Sequence, residues 1–240
     1  MRKFLGKGLW VLPTTGVLAL GGLCILTFAQ SQSMDASETV SLPTPGKDGK
    51  NSIEGAIGHR RSVRTYASKP LTLQQVTQLC WAAAGKSVDA ISGATRTYPS
   101  AGGIYPGNLY VVAGKVEELS AGIYRYEGEG NRLVLVQEGD YRDKLSEAAL
   151  GQSSIRKAPV TFVMTADIER TMERYGSRGR KLYVPMEAGC SAQNIHLQCV
   201  SLRLGTVIIG AFHDEKIGRL LNLDSEQPLW IMPTGKIAED

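Results

Sequence analysis

The sequence predicts an α+β domain with helices around an antiparallel-rich sheet, and three patterns lead there. Apolar runs of strand length, such as 109–113 and 160–165, are interspersed with helical periods but never in a regular βαβ alternation. Two more runs, 123–126 and 133–136, are joined by the polar, glycine-containing stretch 127–131, which is a hairpin pattern. Two stretches, 72–85 and 185–204, space apolar side chains three and four apart, the period of a helix with one buried face. With 42% of its 240 residues hydrophobic, the chain can bury one full core.

In chain order, residues 1–29 begin with Arg2, Lys3 and Lys7 and continue as an uncharged apolar run from Leu9 to Ala29. That order is a secretory signal, and the run is also long enough for a membrane anchor, although Pro13 and the glycines at 16, 21 and 22 weaken it as a helix. Leu23 directly before Cys24 fits a lipoprotein cleavage site poorly. Residues 30–51, rich in Ser, Pro and Gly, read as a flexible linker, and 52–240 as the folded domain. Ile53, Ala56 and Ile57 predict a short helix that delivers His59–Arg64 at its end, and Pro70 closes the unit. Thr72 and Gln75 form a capping-box pair; Leu73, Val76, Leu79, Cys80 and Ala83 share one face, and Gly85 ends the helix. Residues 87–107 lack periodicity, and a compact domain usually keeps such a stretch for function. Further helices are expected at 141–150 and from Asp214 through Leu221, and strands at 207–209 and 229–232.

Charge and cysteines exclude some classes. Without Arg2, Lys3 and Lys7, 24 Lys and Arg face 23 Asp and Glu, so nothing electrostatic calls for nucleic acid. Cys24, Cys80, Cys190 and Cys199 have no zinc-like spacing, so no metal site is expected. The last three fall in helical patterns as small buried apolar groups.

Three stretches carry candidate chemistry. Arg60, Arg61, Ser62 and Arg64 concentrate cations and a hydroxyl in five positions; they suit a phosphate, although such runs are more often a solvated helix end. Pro99, Ser100, Ala101, Gly102 and Gly103 offer bare backbone beside Tyr98 and Tyr105, where a flat ring can lie, or a plain turn. Residues 205–211 combine an apolar run with glycines; Gly205 reads as a helix cap, and Gly210 is unexplained by it.

Taken in order, Arg60–Tyr66, Pro99–Pro106, Glu187-Ala188-Gly189 with Gln193-Asn194, and Leu204-Gly205 leading to Ile209-Gly210-Ala211-Phe212 resemble the nitroreductase-like FMN oxidoreductases, more narrowly the SagB/ThcOx-type dehydrogenases. The resemblance implies a nitroreductase-like homodimer with FMN at the subunit interface. Arg60, Arg61, Ser62 and Arg64, with Gly235 and Lys236, would hold the phosphate. Pro99, Ser100, Ala101, Gly102 and Gly103 of the other subunit would lie along the isoalloxazine, with Gln193 nearby, while Ile208, Ile209 and Gly210 face its N5 side and a backbone N–H donates to N5. Arg174 and Tyr175 would contact substrate or relay a proton, although Arg170, Arg174 and Arg178, four apart, also fit a solvated helix face. A flavin needs fixed donors and an open ring face more than an acid–base triad, so the lack of a catalytic His or Cys motif is expected. Cys190 stands where the family usually has histidine, and Asn108 where an acidic residue is common.

The implied activity is an exported or membrane-anchored FMN-dependent oxidoreductase passing hydride or electrons between a small-molecule donor and acceptor. The alternatives are an azoline dehydrogenase acting on a peptide or small heterocycle, and an FMN- or ligand-binding protein without turnover.

Overall fold

A computed structural model of the protein describes residues 38–86 and 96–238. The expected signal or anchor at 1–29, with Cys24, lies outside the described residues, as do 30–37 of the expected linker and 87–95 of the irregular stretch. Seven strands form one sheet: β1 (Thr39–Ser41), β2 (Gly107–Ala113), β3 (Gly122–Glu127), β4 (Arg132–Glu138), β5 (Val160–Ala166), β6 (Leu204–Thr206) and β7 (Gln227–Lys236). Their order is β1-β4-β3-β2-β5-β7-β6, and every pairing between them is antiparallel. The α+β expectation holds.

Helices cover both faces, which explains why β2 and β5 are continuous apolar runs. One face buries Leu109, Val111, Phe162 and Met164 against α2 (Leu73–Ala84) and α6 (Val184–Ser201). The other buries Tyr110, Val112, Val163 and Ile231 against α3 (Arg142–Ala148), α4 (Ser153–Lys157) and α7 (Asp214–Leu221). A short helix, α1 (Ile53–His59), packs on α6, and α5 (Ile168–Tyr175) leads through a π-turn at Gly179–Tyr183 into α6. The capping box of α2 is present: Gln75 N–H donates to Thr72 Oγ1 at 3.2 Å, and Thr72 N–H to Gln75 Oε1 at 3.0 Å.

Four expectations need correction. The linker is bound to the domain over much of its described length. Thr39–Ser41 pairs with β4, Asn131 Nδ2 donates to the carbonyls of Leu42 and Pro43, and Gln78 grips Gly46 through both amide atoms. These are bonds to main chain, which polar, aperiodic sequence makes as well as any other. Gly205 is not a helix cap; α6 closes at Leu202, Arg203 takes the left-handed turn at φ 55°, and Gly205 lies within β6. The strand expected at 207–209 joins the sheet only by a single bridge from Ile209 to Ile231, and its apolar side chains Val207 and Ile209 serve the second core. Cys190 is exposed whereas Cys80 and Cys199 are buried, because the buried stripe of α6 runs through Ala188, Ser191, Ala192, Ile195 and Cys199 and misses position 190.

Candidate active site

Arg60 caps α1, its N–H donating to Ala56 O, and from there the chain is extended. Val63 N–H donates to Thr206 O at 2.8 Å, Ser62 bridges Thr206 in parallel, and Ala67 N–H donates to Lys236 O at 2.9 Å. Tyr66 rivets the segment from beneath, its hydroxyl lying 2.8 Å from Val63 O and 2.9 Å from Pro233 O. Two glycines admit this close approach. A Cβ on Gly205 would lie 2.6 Å from Val63 Cγ1, and one on Gly235 would lie 2.9 Å from Tyr66 Cβ. Gly235 thus serves packing, while Lys236 is half-buried at the end of β7. Arg60, Arg61 and Arg64 form no ion pair among the described residues. Arg61 diverges from its neighbours: with Val63 it lines a separate cavity shared with Arg203.

The 99–103 loop forms one turn of 3-10 helix at Ala101–Gly103, with Gly102 at φ 62° and Gly103 at φ 68°. The left-handed geometry requires glycine there. It sets Gly102 against α5's end, where a Cβ would lie 2.7 Å from both Arg174 Nη1 and Tyr175 Oη. Arg174 stacks over the Tyr175 ring, Tyr175 meets Tyr183 edge-to-face at 5.0 Å, and Arg170 donates to Ile104 O at 2.9 Å. Arg178 lies beyond α5 and donates to the Tyr183 hydroxyl at 3.0 Å, so the three arginines are not one solvated face.

Glu187 on α6 holds this loop. Its Oε1 accepts Ala101 N–H at 2.8 Å, while Oε2 is buried with no hydrogen-bond partner among the described residues. Burial pushes the Glu187 carboxyl above its ordinary range, against the opposing pull of the Ala101 N–H, the Ser100 hydroxyl and the Arg96 charge. Ser100 Oγ also accepts Tyr105 N–H at 2.8 Å, and Asn194 Nδ2 donates to Thr97 O at 3.0 Å. Glu187 and Asn194, named above only within family blocks, hold the loop, and so does Arg96, which donates to Gly107 O at 2.7 Å and which sequence reasoning missed. For Glu187 the signals were its place in the Glu187-Ala188-Gly189 block and a carboxylate among the apolar positions of a helix.

Ile209 is 4% exposed and its N–H is taken by Ile231 O at 2.9 Å, so neither its side chain nor its N–H faces outward. Ile208 and Gly210 are exposed, and the Gly210 N–H bonds no protein acceptor among the described residues. Asn108 is engaged elsewhere, donating to Glu226 Oε1 at 2.9 Å beside Thr165.

Two clusters result. Arg60, Ser62 and Arg64 lie on the segment whose main chain bonds Thr206 and the Lys236 carbonyl at one corner, and the 99–103 loop meets Arg174, Tyr175 and Glu187 at another. The loop bonds α6 at Glu187, and burial together with the Arg60 charge lowers the pKa of His196, nine positions later; the separation is about 14 Å along the helix axis. Met186, Gly189, Cys190 and Gln193 are exposed along the same helix.

The seven-stranded sheet thus carries a cationic segment near one point of a long helix and a glycine loop near another. The chain belongs to the nitroreductase family, whose profile matches residues 57–236. A Methanocaldococcus jannaschii protein named as a nitroreductase is 40% identical over 187 residues, covering 78% of this chain and 92% of that one. The crystal structure of a protein named as a nitroreductase from Ralstonia eutropha JMP134 superposes with a TM-score of 0.72 at 28% identity, covering 84% of this chain and 90% of that one. The E. coli microcin synthetase McbBCD complex, with truncated pro-MccB17 bound, shares the fold at a TM-score of 0.63 and 21% identity, covering 91% of this chain and 85% of that one. Members of the family generally bind flavin.

Proposed function

We propose that the chain is an FMN-dependent oxidoreductase that works as a homodimer, with each flavin held between two subunits. The observation that carries this reading is the corner of Arg60, Ser62 and Arg64, fastened to β6 and β7 and lacking any carboxylate partner among the described residues. Guanidinium forks and a hydroxyl are the donor set of a phosphate monoester. Gly210 supports it, since a Cβ there would meet nothing within 4 Å and its N–H is open to a ligand acceptor. FMN bound there would supply hydride chemistry at N5.

The chain's own residues would do the rest. Arg60, Ser62, Arg64 and Lys236 bind the phosphate; Gly210 N–H orients the ring; Pro99 to Gly103 of the partner subunit cover it. Arg174 and Tyr175 reach the loop at Gly102 and are placed to orient an acceptor or move a proton through the Tyr175 hydroxyl. The 14 Å axial separation on one chain supports the two-subunit reading, because antiparallel pairing of two α6 helices sets the Glu187 end of one beside the His196 end of the other. Exposed Met186, 58% accessible, and exposed Ile53 and Ile57 supply apolar surface for such a contact.

Purified protein titrated with FMN tests the reading: a stable yellow complex reducible by an electron donor is expected, and no flavin spectrum at saturating FMN would refute it. Azoline oxidation is the second reading, favoured by the fold shared with the microcin synthetase complex; flavin reduction on mixing with a thiazoline or oxazoline selects it.

A further inference from the structure

The strand that carries Arg60, Ser62 and Arg64 has a second side. His59, Arg61 and Val63 face a cavity of about 290 Å³ whose opposite wall is Arg203, Leu204 and Ile237. Its rim is basic: His59, Arg61 and Arg203 are all exposed, and neither arginine forms an ion pair among the described residues. Its apolar lining is formed by Val63, Val200 and Leu204, with the exposed Ile237 at the edge. His59 is fixed at the rim by donating Nδ1–H to Gly55 O at 2.7 Å. His196, deeper in the wall, is held to a pKa of about 4 by burial and by the Arg60 charge, and is therefore neutral at neutral pH. Cations thus stand only at the mouth.

Arg203 adds an independent observation. It occupies the left-handed turn after α6 at φ 55°, a position at which glycine or asparagine relieves strain. Arginine there places a guanidinium at the mouth at a cost to the backbone.

We propose that this cavity is a second ligand site, separate from the corner of Arg60, Ser62 and Arg64, for a small organic phosphate whose apolar group enters between Val63, Leu204 and Ile237 while Arg61 and Arg203 hold the phosphate. An anion without an apolar group leaves the apolar lining unfilled, and an apolar molecule without a charge leaves the guanidinium groups unused. The site does not depend on flavin binding, so it can be tested apart from the proposed activity.

The probe is phenyl phosphate, titrated calorimetrically into the full chain with and without saturating FMN, beside inorganic phosphate and phenol. Phenyl phosphate should bind under both conditions and more tightly than either control. R203G should weaken it about tenfold, the loss of one charge-assisted contact, with a thermal midpoint at or above that of the unaltered chain. R61Q should weaken it similarly, and R64A should leave it unchanged. Binding that FMN abolishes, or that R64A removes, would assign the cavity to the flavin site and overturn the proposal. Equal binding by the R203G chain, inorganic phosphate matching phenyl phosphate, or no binding at all would also overturn it.

Discussion

Arg60 and Arg64 lie outside both cores, so removing either side chain alters charge without opening a cavity. Arg60→Ala and Arg64→Ala are each expected to weaken FMN binding roughly tenfold to hundredfold, the range for one hydrogen bond to a charged group, while the flavin-free melting temperature stays unchanged. Fluorescence titration with FMN measures the first and calorimetry the second. Glu187 gives a pH signature. Its pKa is raised in the fold, so the native state keeps a proton that the unfolded chain has released, and stability falls as pH rises from the ordinary glutamate range to the raised value. Glu187→Gln should flatten that decline, and melting curves across the acid range check it. The arginine corner was legible because charge density is visible in sequence. Glu187 was visible only as part of the Glu187-Ala188-Gly189 block; its role was not, because neither its burial nor the Ala101 N–H it serves can be read from a neighbour in sequence.

Elements with their own signals were found at once. The Thr72 and Gln75 pair announces α2, and Asp214 through Leu221 matches α7. Thr72→Ala should cost about 1 kcal/mol and lower the melting temperature by roughly 2–4 °C. β1 and β6 were missed, since three residues of main-chain pairing leave no period to detect. Gly205 looked like a cap because it follows a long helix; Arg203 had already made the turn. Its role within β6 predicts that Gly205→Ala, forced against Val63, will push the basic strand outward. Overpacking of this kind costs about 1–3 kcal/mol. FMN affinity should fall although no arginine has changed, and unaltered affinity would mean that the strand does not need its seat on β6.

At the scale of the whole molecule, the α+β class was legible in the sequence, and the family blocks lay in the right order. What sequence could not show is that two of those blocks sit at separate points along α6. The dimer reading makes Gly189 critical, since a Cβ there meets nothing within 4 Å of its own chain. Gly189→Trp should yield a monomer by analytical ultracentrifugation and lose FMN with it; a dimer that persists with flavin bound would place the interface elsewhere. The proposed export through 1–29 would separate the enzyme from the cytoplasmic nicotinamide pool, so it predicts an extracytoplasmic or membrane fraction and slow turnover with NADPH, which fractionation and a direct assay test together.

β6 is the last strand of its sheet, and its outer side is met by Ser62 and Val63. The segment that would grip the phosphate is thus also the cover on an open sheet margin. Were that cover to lift when the anion departs, Leu204–Thr206 would offer unpaired amides and carbonyls to any other chain. Cofactor retention and resistance to clumping then become one property: preparations stripped of flavin should precipitate sooner on storage than loaded ones, at equal concentration and with the core still folded.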